Sequence, residues 1–341
     1  MSLVPASTLA ALGSLPALAA GKLIHLLLSP TSSFSLVSLF CAAAISAAVL
    51  ARRRGRRGRR MRAAVILRAL FPKGRLASRS SRADLGFFLF NLFLFGLLFS
   101  WLIVSSGAIA QMVAGAIRQI FGPTAPMPLP GPVRSALATV ALFLAYELGF
   151  WTDHYLSHRV AFLWAFHKAH HTAETLSPLT NFRVHPIDGI KFANILALFL
   201  GVTAGVLQVA LGKEAGGFVL GDRNVILLAC TLVVLHLQHS HIWIAATGAW
   251  GRILLSPAHH QIHHSSDPAH FNKNLGAYLS IWDWLFGTLC VPTKAPQRLT
   301  FGVSPADPAH HSVTGCLLTP LAEAVGPLQP AQKRLSRRPA F

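Results

Sequence analysis

The sequence predicts an all-α, polytopic membrane protein with four to five transmembrane helices and a cytoplasmic, histidine-rich helical cap. Of its 341 residues, 53% are hydrophobic and only 12% are charged, whereas soluble domains carry roughly 25% charged residues. The mean hydropathy is +0.51. Fourteen of the 17 histidines lie between residues 154 and 270, in blocks whose spacing places imidazoles on one face of a helix.

Predominantly apolar segments long enough to cross a bilayer, or nearly so, recur along the chain. The predicted membrane segments are residues 33–50, 86–108, 133–152, 190–211 and 223–238. Residues 4–28 are apolar but broken by two prolines and two glycines, so they indicate either a weak span or an interfacial helix. Because basic residues are missing from the start of the chain, a cleaved signal peptide is not expected.

A basic block directly follows the first predicted span. Thirteen of the 30 basic residues lie between Arg52 and Arg82, without any acidic residue. This pattern is typical of a cytoplasmic juxtamembrane segment. Phe71 is the only aromatic residue in the block, which argues against nucleic acid as a partner. With this orientation, all histidine blocks reach the cytoplasmic face of a multi-pass protein, which we expect in a bacterial inner membrane.

The chain divides into three predicted parts. Residues 1–84 form an N-terminal membrane segment and basic cytoplasmic linker, residues 85–292 the domain that contains all the histidine blocks, and residues 293–341 an irregular, Pro-rich basic tail. The four cysteines are widely scattered without a CxxC pair, so neither a disulfide framework nor a thiolate zinc site is expected.

The histidine blocks read HxxxH, HxxHH, HxxH and HxxHH, and they indicate a metal centre. The ten candidate metal ligands are His154, His158, His167, His170, His171, His236, His239, His260, His263 and His264. One tetrahedral zinc takes at most four protein ligands, so ten indicate two metal ions. In the third block, His239 pairs with either His236 or His241; His236 is favoured because residues three apart share a helix face. No catalytic residue is predicted beyond the ligands.

Together these motifs resemble the fatty acid hydroxylase and sterol desaturase superfamily of membrane-bound, histidine-box di-iron oxidoreductases, and within it bacterial sterol-desaturase-like proteins. The motifs are HYLSH at 154–158, HKAHH at 167–171, HLQHSHIW at 236–243, SPAHHQIHHS at 256–265 and KNLGAYLSIWDWLFGT at 273–288. The similarity covers roughly residues 85–292. The third block departs from the HxxxH that hydroxylases of the family often show.

The resemblance implies two non-haem iron ions, O2 as co-substrate, and hydroxylation or desaturation of a sterol-like, fatty acyl or alkylglycerol lipid. The sequence does not choose between the two reactions. Because the chain shows neither a haem-binding nor a flavin-binding motif, we expect electrons from a separate ferredoxin, cytochrome or reductase.

Ligating imidazoles need a partner on their second ring nitrogen. His185 and Asn274 lie in motifs of the resemblance and are candidates for this supporting layer or for the pocket. The acids near the blocks are further candidates, and we expect four histidines at the surface. These acids are Asp153, Glu174, Asp188, Asp267 and Asp283, and the surface histidines are His259, His270, His310 and His311.

Two other functions fit a histidine-rich membrane protein. A metal transporter would carry polar residues inside its spans, whereas nearly all of these histidines lie just outside the predicted ones. A zinc-dependent membrane hydrolase would need an open zinc position and usually a glutamate base, as in HExxH, and that motif is missing.

Overall fold

The computed structural model describes residues 6–59, 62–123, 125–212, 216–303 and 307–325. Lys213 and Glu214, which lie between the predicted membrane segments 190–211 and 223–238, and the end of the predicted tail, 326–341, are outside this part. The α-helices of the described residues are α1 Ala6–Leu28, α2 Leu36–Arg56, α3 Ala63–Leu70, α4 Lys73–Leu76, α5 Arg79–Phe90, α6 Gly96–Phe99, α7 Ser106–Phe121, α8 Gly131–Arg159, α9 Ala161–His171, α10 Pro186–Ala210, α11 Val225–Cys230, α12 His236–Gln238, α13 Gly248–Ile253, α14 Pro257–His263, α15 Ile281–Leu285 and α16 Val313–Val325.

Shorter elements join these helices. Two π-helical segments, Asn91–Phe95 and Thr231–Leu235, continue α5 and α11. The 3-10 segments are Ser100–Leu102, Pro178–Phe182, Pro268–His270 and Pro308–His311. The strands of the described residues, β1 Val219–Leu220 and β2 Arg223–Asn224, form an antiparallel hairpin in which Val219 pairs with Asn224.

Among the described residues, four helical stretches are long and apolar enough to cross a membrane. They are Leu36–Arg56, Arg79–Phe121, Gly131–Arg159 and Pro186–Ala210. The predicted all-α, polytopic class is therefore confirmed. The predicted fifth segment, 223–238, forms the shorter apolar stretch Val225–Gln238, and the described side chains of α1 belong to another short one, Ala17–Leu28.

Helix α10 lies against α7 and α8, and small residues allow α7 to approach closely. A Cβ atom on Gly201 would lie 2.7 Å from the backbone oxygen of Ser106, and one on Gly205 would lie 2.7 Å from that of Ala110. Small residues at such contacts are typical of helix packing in membranes. Residues 109–121 thus lie in a helix that packs closely on α10.

Helix α8 runs antiparallel to α10. Arg134, near the start of α8, donates a hydrogen bond to the backbone oxygen of Leu211 at the end of α10 (3.1 Å). Further along α8, Gly149 packs against Leu196 and Phe199. The C-terminal end of α8 and the N-terminal end of α10 consequently meet, and α9 follows directly from that place.

A buried ion pair fixes α5 to the same end of the molecule. Arg183 lies 3.3 Å from Asp84, and both side chains are fully buried. Arg183 also donates to the backbone oxygen of His310 (2.9 Å). His310 is therefore buried, which corrects its expected surface position.

The region predicted as an irregular tail contains α16, which packs on the histidine-bearing helix α9. Cys316 of α16 belongs to a buried cluster with Ala169 and Phe87. Lys168 of α9 forms an ion pair with Glu323. An apolar face against α9 thus stabilises a helix in spite of the proline that the sequence places inside it.

Candidate metal centre

Five buried histidines form the first group of potential metal ligands. His154 and His158 end α8, His167 and His171 lie on α9, and His263 lies on α14. One ring nitrogen from each lies within 4.8 Å of the others. All five Nε2 atoms are buried without a hydrogen-bond partner among the described residues. Burying unpaired polar atoms is costly, so this arrangement fits five lone pairs converging on a cation.

Four buried histidines form the second group: His170, His239, His260 and His264. The Nε2 atom of His239 lies 3.2 Å from that of His170 and 3.0 Å from those of His260 and His264. A neutral imidazole carries only one N–H, so His239 cannot form hydrogen bonds with all three. Nitrogen ligands about 2.0–2.1 Å from one zinc-sized ion would lie at similar mutual distances.

The two HxxHH blocks are divided between the groups in opposite ways. On α9, His167 and His171 are four residues apart and enter the first group, while His170 enters the second. On α14, the pair four residues apart, His260 and His264, enters the second group, while His263 enters the first. The two adjacent histidines of each block therefore belong to different groups, since neighbouring residues in a helix point in different directions.

The two groups adjoin one another. The rings of His171 and His264 stack with their centroids 4.6 Å apart, and His171 also lies 4.7 Å from His263. The arrangement therefore provides two adjacent nitrogen-rich positions.

Burial favours the neutral form of His171, His239, His263 and His264. It is the main reason that the pKa values of His239 and His263 fall to about 3, and nearby histidines lower them further. The pKa values of His171 and His264 are also far below the ordinary value for the same reasons. Metal ligation requires the neutral imidazole, so the fold supplies these ligands in the form that a metal binds.

Three members of the first group are held through their second ring nitrogen. The Nδ1 atom of His154 donates to the backbone oxygen of Leu275 (2.8 Å), and that of His263 donates to the backbone oxygen of Lys273 (2.9 Å). The Nδ1 atom of His167 lies 2.9 Å from a carboxylate oxygen of Asp188. Such partners orient a ligating imidazole and leave Nε2 for the metal.

Asn274 fixes the loop that supplies the two carbonyl groups. Its backbone has a φ of 58°, a left-handed conformation in which asparagine is enriched. Its side chain is fully buried, donates to the backbone oxygens of His259 and Cys290, and accepts from the Cys290 amide. Asn274 therefore supports the site through the backbone.

Two buried carboxylates hold the rest of this loop. Asp283 accepts the backbone amides of Leu275 and Gly276 at 2.8 and 2.9 Å. Glu147, on α8, accepts those of Tyr278 and Leu279. The loop is thereby fixed to the helix that carries His154.

Asp153, a predicted supporting residue, lies one step further from the histidines. Its carboxylate pairs with the Lys191 ammonium at 2.9 Å, and the same ammonium lies 3.0 Å from Asp188. Asp188 is therefore the acid that contacts a candidate ligand, and Asp153 acts on it through Lys191. Sequence spacing does not reveal the contact between Asp188 and His167, because the two residues are 21 positions apart in the chain.

His236 lies outside both groups, in contrast to the sequence prediction. Its Nε2 atom lies 3.1 Å from the Ser38 hydroxyl, and its ring packs edge-on against Phe34. Helix α12 ends at Gln238, so His236 and His239 do not share a helix face. The alternative, His241, is also directed elsewhere: its Nε2 atom donates to the backbone oxygen of Ala69 (2.6 Å).

His185 and Glu174 do not contact the histidine groups. His185 accepts the Ile187 amide through Nδ1 and caps α10, while its Nε2 atom donates to the backbone oxygen of Leu317. It thus supports the helix that carries Asp188. The side chain of Glu174 is half exposed and pairs with His311 at 3.3 Å.

His259, expected at the surface, is fully buried and holds the start of α14. Its Nδ1 atom lies 2.8 Å from the Ser256 hydroxyl, and its Nε2 atom donates to the backbone oxygen of Gly251 (3.0 Å). A histidine beside a candidate ligand thus has a structural role. His270 and His311 are partly buried.

The residues at both positions fit bound metal ions. Every candidate ligand is an imidazole, and this donor suits zinc, copper, iron and nickel. Their Nε2 atoms converge, the carboxylate of Asp188 contacts the Nδ1 atom of His167, and burial lowers the pKa of His239 and His263. The chemistry of the donor set thus agrees with a pair of metals of this kind.

Comparison with known proteins adds a family to this geometry. The model of the fatty acid hydroxylase family matches residues 139–288, which contain all four histidine blocks. Alkylglycerol monooxygenase of Danio rerio is 24% identical over 165 residues, covering 46% of this chain and 31% of the relative. Ornithine lipid hydroxylase OlsE of Rhizobium tropici is 30% identical over 161 residues, covering 46% and 43%.

A third relative, putative Delta(7)-sterol-C5(6)-desaturase 2 of Arabidopsis thaliana, is 28% identical over 160 residues, covering 45% of this chain and 48% of the relative. No solved structure matches. The chain spans less than half the length of these three relatives. The family model and the three relatives agree with one another, and residues 139–288 of this chain are similar to proteins of the fatty acid hydroxylase and sterol desaturase superfamily.

Proposed function

We propose that this protein is a membrane-bound oxidoreductase that uses two iron ions and O2 to hydroxylate or desaturate a lipid. The observation that carries this proposal is the pair of adjacent groups of buried imidazoles, with five and four members. All nine belong to the ten histidines that the sequence predicts as ligands.

The protein's part is to hold and isolate the metals. His154, His158, His167, His171 and His263 would hold one ion, and His170, His239, His260 and His264 the other. Bound iron of this kind supplies the oxidising power to break an unactivated C–H bond with O2. Asp188 and the backbone oxygens of Lys273 and Leu275 keep their imidazoles oriented, and burial excludes water from the nine rings.

A lipid substrate fits the surroundings of the first group. The ring of Phe150 packs edge-on against His154, at 5.6 Å, and against Phe192, at 5.5 Å. These phenylalanines lie on the two helices that reach the site from their apolar stretches, α8 and α10. The three relatives are named for an alkylglycerol, an ornithine lipid and a sterol, all of them lipids. Electrons would come from a separate ferredoxin, cytochrome or reductase.

The two other functions have less support. A hydrolytic zinc site uses a glutamate base, but the described glutamates 147, 174 and 323 are engaged elsewhere. A transport path would place polar residues along the spans, whereas the histidine groups lie at the ends of α8 and α10 and on the shorter helices beyond them.

Metal content and lipid products test the proposal together. The full chain, purified in detergent, should contain about two irons, and cells expressing it should gain a hydroxylated or unsaturated lipid. Cells expressing the double variant His171→Ala, His264→Ala should lack the product, while His25→Ala, which removes an exposed histidine of α1, should retain it. A folded protein free of metal, or an active double variant, would refute the assignment.

Cysteine labelling tests the proposed cytoplasmic location of the site. Arg56→Cys and Asp267→Cys introduce thiols at two exposed positions, one in the basic block and one just beyond α14. Both should react from the cytoplasmic side, with the unmodified chain as the control for its four native cysteines. Labelling from opposite sides would refute this topology without bearing on the chemistry.

A further inference from the structure

A basic cavity of about 450 Å³ lies beside the C-terminal end of α2, away from the histidine groups. Four arginines between residues 53 and 59, together with Lys294, line it, and Leu50 and Pro296 add an apolar part. Five cationic side chains thus share one small cavity, although they come from segments more than 230 residues apart.

Acidic residues are missing from both segments. Residues 52–82 and 289–303 contain neither aspartate nor glutamate. Among the described residues, no carboxylate forms an ion pair with Arg57, Arg59 or Lys294. Like charges held together repel one another. A bound anion would offset this repulsion, which no acidic residue of these two segments offsets.

We propose that this cavity binds the phosphate of an anionic phospholipid headgroup. Arginine binds phosphate through a planar fork of donors, and lysine binds it as a point charge. The cavity follows directly on the apolar part of α2, where basic residues lie at the level of lipid headgroups. Leu50 and Pro296 then offer contact to the glycerol and acyl part, which free phosphate cannot use.

The cavity is also linked to the helix that carries three candidate ligands. Arg53 donates a hydrogen bond to the backbone oxygen of Trp243, and the Trp243 indole donates to the backbone oxygen of Thr293 (3.0 Å). The same indole packs in a buried cluster with Ala258 and Ile262 of α14. A bound headgroup would therefore contact a region in which the end of α2 and the segments around Trp243 and Thr293 are joined by hydrogen bonds. Its binding should stabilise the folded protein. This inference does not depend on the oxidation chemistry.

Ligand-dependent thermal stability of the full chain in a neutral detergent tests the site. Short-chain phosphatidylglycerol should raise the unfolding midpoint in a saturable way, whereas phosphatidylcholine and inorganic phosphate at equal concentration should not. The variant Arg57→Gln, Arg59→Gln, Lys294→Gln should need at least about tenfold more phosphatidylglycerol for half of the shift, because it removes three direct, charge-assisted contacts to the phosphate.

The matched control removes the same charge outside the cavity. Arg52→Gln, Arg56→Gln, Arg62→Gln changes three exposed arginines of the same basic block and should leave the half-saturation concentration unchanged. If the triple cavity variant does not fold, Arg57→Gln compared with Arg56→Gln provides the same contrast on a smaller scale.

Three outcomes would overturn the proposal. Equal weakening by both triple variants would mean diffuse attraction to the basic block. Equal stabilisation by inorganic phosphate would make the cavity a site for the free anion. A cavity variant that still responds like the unmodified chain would exclude a headgroup there and leave the arginines to an acidic protein partner.

Discussion

The two histidine groups are similar in burial but differ in what holds their rings. In the first group, Nδ1 atoms of His154, His167 and His263 are bound to Leu275, Asp188 and Lys273. In the second group, all four Nδ1 atoms are buried without a hydrogen-bond partner among the described residues. The first group is thus oriented by a supporting layer, and the second by the packing of its helices alone.

This difference indicates that the two metal positions are not equivalent. A supporting partner fixes ring orientation and raises the basicity of the ligand, and its loss typically costs about 10–100-fold in metal affinity. The first position should therefore hold its metal more tightly. The second, with looser ligands and only four of them, is the position whose metal should exchange first.

The largest effect should come from removing one ligand from each group separately. His171→Ala and His264→Ala should each abolish lipid oxidation, because the proposed chemistry needs both metals. Elemental analysis should distinguish the two variants. His264→Ala should retain about one metal per chain, held by the first group. His171→Ala should retain less metal than His264→Ala, because the ring of His171 also stacks on His264 of the second group.

The control for both variants is His25→Ala, which changes an exposed histidine. Product formation by either ligand variant at the rate of this control would mean that the two groups do not act together.

A smaller effect is expected from Asp188→Asn, which tests the supporting layer itself. An amide cannot stabilise the His167 imidazole as a carboxylate does, and the Lys191 ammonium loses one of its two acids. Metal affinity should fall about 10–100-fold, and only for the metal of the first group. Competition with a graded series of chelators measures both affinities.

Asp222→Asn, at an acid whose side chain is 80% exposed, is the matched control and should leave both affinities unchanged. If Asp188→Asn weakens the second metal instead, the assignment of this carboxylate to the first group is wrong.

Acidification should destabilise the metal-free protein moderately. Burial lowers the pKa of His239 to about 3 in the folded chain, while an unfolded histidine has a pKa of about 6.5. Between these values the unfolded state binds more protons than the folded state. The contribution of His239 to the free energy of unfolding is therefore fully present above about pH 6.5 and is lost as the pH decreases toward 3.

The unfolding midpoint of the metal-free protein, measured from pH 7 to pH 5, should therefore fall, and His239→Gln should show a shallower fall. An unfolding midpoint independent of pH in this range would contradict the lowered pKa of the buried His239 imidazole.

Helix class and most members of the two histidine groups could be predicted from the sequence because they follow local periodicity. His154 and His158 lie on one helix, and the two HxxHH blocks each lie on another, so spacing alone places them. The division of each HxxHH block between two groups, and the role of Asp188, depend on how α8, α9, α10 and α14 pack. These are tertiary properties that spacing does not contain.

The third block shows where local reasoning fails. The HxxH spacing predicts one helix face for His236 and His239. Helix α12 ends before His239, whose φ of −96° and ψ of 38° lie outside the helical region. This turn directs His239 into the second group. A tertiary partner, Ser38, holds His236 elsewhere. The N-terminal 84 residues, which the sequence assigns to a separate membrane segment, thus provide a partner for one of the four histidine blocks.

The smallest effect is expected from His236→Gln, and it distinguishes the two interpretations of this block. Glutamine can keep a hydrogen bond to Ser38 but is a poor replacement for an imidazole ligand. If His236 is structural, the variant should retain about two metals and its oxidation activity, with at most about 1 kcal/mol lost from one altered hydrogen bond. His239→Gln is the matched variant three residues away, and it should lose the metal of the second group. Since both substitutions remove one buried imidazole from the same block, equal metal loss would show that His236 moves into the second group when metal binds.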